Sequence, residues 1–169
     1  MKRILLLLLL IVLPLLSGAQ NVSWRFFDRY AKSPGFSSVQ LERKMMRMMS
    51  RQASERGDEK LAQLLKGIES IRIVALDGGD GGQFLADAEA LVNHASYRFQ
   101  PVMSESRDGQ VTRFYLRNAV PPGYSELVML TSGPRETVAV NIYGRFDLKQ
   151  VSRLSTIRPK RPSDSPEGR

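Results

Sequence analysis

The spacing of apolar residues changes period several times along the chain, and each change marks an element. Ile4 to Leu16 contains no polar residue, and it is flanked by Met1-Lys2-Arg3 and by Ser17-Gly18-Ala19-Gln20. A short basic start, an apolar stretch and small residues at the −3 and −1 positions predict a secretory signal peptide over 1–19, cleaved after Ala19. The stretch is shorter than the roughly 20 residues that cross a bilayer, and Pro14 interrupts it. Trp24, Phe26, Phe27 and Tyr30 then cluster ahead of Pro34-Gly35. Rings at that spacing predict a short helix or a docked arm packed onto a core.

A helical period follows. Ser37 as a cap, Gln40 three residues later and a Phe36–Leu41 staple predict a helix start there. Leu41, Met45, Met48 and Met49 fall on its inward face, with Met46 at the edge, and Arg43, Lys44, Arg47 and Arg51 gather on the opposite side. A second helix starts at Asp58, carries Leu61, Leu64, Leu65 and Ile68, and has Gly67 as its stop. Ile71 to Leu76 is dense in β-branched residues and reads as a strand. The glycine-rich link 77–82 leads into a third helix with Phe84, Ala88, Leu91, Val92 and Ala95 on one face.

Alternation takes over at 97–117, a hairpin turning at Asp108-Gly109, a pair suited to positive φ. Its register pairs Met103 with Phe114, Pro101 with Leu116, Val102 with Tyr115 and Ser104 with Arg113. Phe99, Pro101, Met103, Phe114 and Leu116 then form a core face, and Arg98, Val102, Arg113, Tyr115 and Arg117 a mixed, solvated one. Glu126 to Thr131 is apolar on both faces, which predicts a central strand, and Thr137 to Tyr143 returns beside it. A last helix is expected from Asp147, and residues 158–169, with three prolines and no apolar residue, should be disordered. The order α-α-β-α-β-β-β-β-α predicts an α+β domain over 20–157. It should be a two-layer sandwich, with a mainly antiparallel sheet of about five strands and helices on one face.

Charge narrows the partners. The formal net charge is +8, from 25 bases against 17 acids, and Lys2 and Arg3 supply two of those bases. For an exported chain a modest basic excess favours anionic glycans or lipid head groups over nucleic acid. The chain has no cysteine, which excludes disulfides, thiol catalysis and a lipidated cysteine at the cleavage site. The expected location is therefore periplasmic or secreted, without a lipid anchor on cysteine and without a transmembrane segment after cleavage.

Catalytic patterns are weak. His94 is the only histidine and falls off the apolar stripe of its helix, so it reads as a surface residue without a fixed partner. Asp77 and Asp80 supply too few acids for a calcium loop, and the glycines do not match a phosphate-binding loop. No cofactor is implied. Met45, Met46, Met48 and Met49 have soft-metal chemistry, but core filling is the expected role for such a stripe. Two basic surfaces remain as candidate binding sites: Arg43, Lys44, Arg47 and Arg51 on the first long helix, and Arg98, Arg113 and Arg117 around Tyr115 on the hairpin. The expectation is a non-catalytic module that binds an envelope protein or an anionic envelope component. The alternatives are an enzyme using Asp77, Asp80 or His94, and a self-associating structural protein.

Several segments taken in order resemble one family. They are Phe27-Asp28-Arg29-Tyr30 followed by Gly35-Phe36-Ser37-Ser38-Val39, then Gly67-Ile68 into Ile71-Arg72-Ile73, then Val138 to Gly144 into Phe146-Asp147-Leu148-Lys149 and Leu154. Together they resemble the exported proteins grouped as domain of unknown function 4252. The resemblance implies a small α+β protein of the bacterial envelope, with no catalytic residue or cofactor to carry over. Many members look like lipoproteins, and this chain departs from them in having no cysteine to lipidate.

Overall fold

The computed structural model describes residues 21–78, 81–134 and 136–146. The expected signal peptide, Asp80, the helix from Asp147 and the tail 158–169 lie outside the described residues. Elements follow in the order α1 (Trp24–Ala31), β1 (Phe36–Glu42), α2 (Arg43–Glu55), α3 (Glu59–Gly67), β2 (Ile68–Asp77) and α4 (Gly82–Asn93). A 3-10 turn (Ala95–Tyr97) then leads to β3 (Gln100–Arg107), β4 (Gln110–Asn118), β5 (Ser125–Ser132) and β6 (Glu136–Gly144). The fold is α+β. All neighbouring strands are antiparallel, in the order β1-β2-β6-β5-β4-β3.

The last four strands form the expected meander, and β5 sits near the middle of the sheet. The layering differs from expectation. Side chains alternate across a strand, and the two faces of this sheet carry different helices. Val74, Tyr115, Val128, Leu130 and Ala139 pack with Phe26, Phe27 and Tyr30 of α1 and with Phe84, Ala88 and Val92 of α4. Leu127 and Ile142, one residue out of phase, pack with Met46 and Ala53 of α2 and with Leu64 and Leu65 of α3. The helices therefore flank the sheet two to a side, and a strand apolar on both faces is covered on both.

A sixth strand is the second difference. Residues Phe36–Glu42, expected to open a helix, pair with β2 from Phe36↔Leu76 to Glu42↔Ser70. The Ser37/Gln40 capping pattern lies inside this ladder, because seven residues of cross-strand hydrogen bonding outweigh one cap. The helix begins at Arg43 instead. By contrast, α3 forms as its sequence dictates: the Asp58 carboxylate accepts from the Leu61 N–H at 3.0 Å. Gly67 is the last residue of α3, and only glycine fits there, because a Cβ would come within 2.1 Å of the Arg145 carbonyl oxygen. In the β3–β4 hairpin Met103 pairs with Phe114 and Ser104 with Arg113, as expected. A bulge between Pro101 and Met103 places Pro101 opposite Tyr115 and Gln100 opposite Leu116.

Candidate functional site

The two basic surfaces meet different fates. Tyr115 and Arg117 are buried, because odd positions of β4 face the layer of α1 and α4. Arg117 donates from Nε to a Glu126 carboxylate oxygen at 2.8 Å. Its Nη2 lies 2.6 Å from that same oxygen, off the line of a good hydrogen bond, so the Nε contact is the directional one. Glu126 is wholly buried and also accepts from the Ser23 hydroxyl, the Ser23 N–H at 3.3 Å and Asn141 Nδ2 at 3.1 Å. The group ties the start of α1 to the sheet. Arg113 is exposed but paired with Glu89 at 2.8 Å, and Arg98 is exposed in the turn before β3. The hairpin residues thus form no common open surface, because helices cover the face that was expected to be solvated.

The α2 surface stays open. Arg43 is engaged by Glu69 at 2.8 Å, but Lys44, Arg47 and Arg51 are exposed with no acidic partner among the described residues. α2 and α3 form a helical hairpin, held by Ser50 Oγ donating to the Ala62 carbonyl at 2.7 Å and by Ser54 Oγ donating to Glu59 at 2.6 Å. Between them runs a groove of about 480 Å³, lined by Arg47, Arg51, Lys66, Ser50, Ser54 and Glu59 among others. Three cations face it against one acid, and that acid is held to the wall by Ser54. Sequence reasoning found Arg47 and Arg51 but missed Lys66. A lysine in the last turn of a helix is ordinary complementation of the helix dipole, and only the packing of α3 on α2 brings it to the groove.

A second depression of about 440 Å³ lies over α1 and α4, lined by Arg25, Arg29, Asp87, His94 and Tyr97 among others. It has less free charge. Arg29 is bound by Asp87, and His94 stacks on Tyr97 at 4.4 Å. The Asp87 carboxyl is held below its ordinary range, chiefly by the hydrogen bond from the Tyr30 hydroxyl and also by Gln83 and Arg29. Burial, with Asp87 adding to it, raises the Tyr30 hydroxyl in turn. His94 follows the C-terminal end of α4, whereas Asp77 precedes its start. The 12-residue helix between them is about 18 Å long at 1.5 Å per residue.

Arg72 is a further buried cation. Its guanidinium lies 3.1 Å from the centroid of the Trp24 ring, with Glu42 at 3.9 Å. Burial lowers its pKa.

The methionines reverse their expected roles. Met46 is wholly buried, while Met45, Met48 and Met49 are 44%, 54% and 37% exposed. The inward face of α2 is Met46, Ser50 and Ala53, so the three other methionines stand on its outer flank. Among the described residues no helix is long and apolar enough to cross a membrane, and no three acids or histidines gather as a metal site.

No curated protein matches the chain. A family model matches residues 30–154, most of its length. The chain belongs to the family described as domain of unknown function DUF4252.

Proposed function

We propose that the protein is an exported, non-catalytic binding module that takes an anionic envelope component in the groove between α2 and α3. The observation that carries this reading is the convergence of Arg47, Arg51 and Lys66 on a groove with one acid, itself tied to Ser54. Guanidinium groups suit phosphate, sulfate and carboxylate because their planar donors match those anions in pairs. The export signal expected at 1–19 supports a place outside the cytoplasm. Asn21, two positions after the proposed cleavage site, donates to Asn141 at 3.1 Å and so belongs to the folded domain. The catalytic alternative draws no support from Asp77 and His94, which flank opposite ends of α4.

The test is an amide-resolved NMR titration of residues 20–169 with inorganic pyrophosphate, beside the triple variant Arg47→Gln, Arg51→Gln, Lys66→Gln. Shifts confined to α2 and α3, and affinity at least about tenfold weaker in the variant, are expected. Shifts located elsewhere, or unchanged by the variant, would sink the reading.

A further inference from the structure

The proposed groove occupies one flank of α2, and the other flank carries a second departure from ordinary surface design. At about 100° per residue, Met45, Met48 and Met49 span roughly 100° of arc on one side of the buried Met46–Ala53 line. Lys44, Arg47 and Arg51 span roughly 60° on the other side. The two flanks meet at the outermost ridge, where Met48 and Lys44 are neighbours. Every one of these six side chains is exposed. Val39, on the strand that feeds α2, is 48% exposed and lies on the same face of the sheet.

The charge placement also works against the isolated helix. Inside α2 the first turn contains no acid, the N-cap Glu42 lying just before it. Arg43 is paired with Glu69, but Lys44 stands exposed at the positive end of the helix dipole, where cations are unfavourable. Its one acid is Glu55, the last residue. A surface helix that needed only to fold would bury its methionines or replace them with polar residues, and would carry its cations at the other end. Both departures are relieved by one kind of surface, apolar just beneath and negatively charged on top.

We infer that α2 docks on a bilayer surface rich in anionic phospholipid, with Met45, Met48 and Met49 entering the acyl boundary and Lys44, Arg47 and Arg51 contacting phosphates. This rests on the anion-binding reading and names its ligand as a lipid head group held in a membrane. The chemistry is that of an interfacial amphipathic helix, in which buried apolar side chains and attraction to anionic lipid act together. Unbranched methionine side chains adapt to an irregular apolar partner, which suits acyl chains without a fixed shape.

The experiment is co-sedimentation of residues 20–169 with vesicles of phosphatidylcholine alone or with phosphatidylglycerol added, at low and high salt. Two variants accompany it: Met45→Gln/Met48→Gln/Met49→Gln and Arg47→Gln/Arg51→Gln. All five positions are exposed, and circular dichroism checks that the folds are kept. Binding should require phosphatidylglycerol, fall with salt, and drop about tenfold or more in each variant. Binding that survives the methionine changes overturns the inference and leaves a soluble-anion groove standing. So does failure to bind vesicles while pyrophosphate still shifts α2 and α3. Failure of both probes overturns the groove itself. Loss of a concentration-dependent dimer in the methionine variant, by sedimentation velocity, would assign the stripe to a second copy instead.

Discussion

The two faces of the sheet invert the usual rule about what is inside. Under α1 and α4 lies a sealed layer of rings, with Phe26 stacked on Phe84 at 5.5 Å and Tyr30 edge-on to Phe84 at 4.6 Å. That layer also buries the Arg117–Glu126 salt bridge. Under α2 and α3 the core is smaller and mainly aliphatic, with Phe146 as a buried ring, and Leu41, Ile71, Phe114, Leu116 and Val140 remain only partly covered. There the apolar side chains reach solvent: Met48 is 54% exposed while Glu126 is 0% exposed. On the first face Glu126 is buried among several donors that fix the start of α1 to the sheet, although Arg117 Nη2 and Arg72 Nε are buried without a hydrogen bond among the described residues. Among the described residues the second face leaves apolar and cationic side chains exposed, as the proposed contact surface requires.

The sharpest way to break this contrast is Glu126→Ala. It leaves Arg117 buried without its carboxylate and frees the Ser23 N–H at the start of α1, so a loss of about 3–5 kcal/mol in urea unfolding is expected. A loss below about 1 kcal/mol would mean that the sealed face does not depend on the pair. The double change Glu126→Leu with Arg117→Met should recover most of the stability, since apolar replacement of a whole buried pair is often tolerated. Recovery should stay incomplete, because Ser23 still lacks its acceptor.

On the open face the comparison is made within a single helix. Met46→Ala should cost about 2–5 kcal/mol, as expected for a buried side chain that leaves a cavity. Met48→Ala, two residues on, should fall within about 0.5 kcal/mol of the parent. Equal losses at both positions would show that Met48 is part of the core and would remove the exposed stripe.

That pair of variants also shows where the sequence misleads. Taking Leu41 as helical anchors the phase on Leu41, Met45, Met48 and Met49, four large apolar residues in register. With Leu41 in β1, the true inward line of Met46, Ser50 and Ala53 is a weak pattern. It is chosen by tertiary contacts such as the Ser50–Ala62 hydrogen bond. β1 itself was illegible for a similar reason, because its partner β2 lies some thirty residues on and leaves no local mark. The two-sided cover was legible and overruled: a β5 strand apolar on both faces already demands a layer on each side. Where the signal is local, as in the Asp58 cap, the Asp108-Gly109 turn with φ of 52° and 77°, and the aromatic run of α1, sequence and structure agree. Two of the three cations lining the candidate groove were readable in that way. Arg47 and Arg51 stand out on one helix, but Lys66 joins them only through packing, and Tyr115 and Arg117 were lost to a covering layer.

The smallest effect concerns the rim of the sealed face. Asp87 joins α4 to α1 by accepting from the Tyr30 hydroxyl at 2.9 Å and by pairing with Arg29. Its carboxyl is depressed, first by the Tyr30 hydrogen bond. A group with a depressed folded pKa contributes stability that is present above its unfolded value, about 3.9 for aspartate. That stability is lost as pH falls through the lower folded value. The wild type should therefore lose this contribution only at pH values below the ordinary carboxylate range, and Asp87→Asn should lack that part of the acid dependence while matching the parent's trend near neutrality. The site is open to solvent on one side, so the difference should be small in thermal melts taken at stepped pH. Identical acid profiles for the two proteins would place the attachment of α1 in its buried rings and Glu126, with none of it in this outer bond.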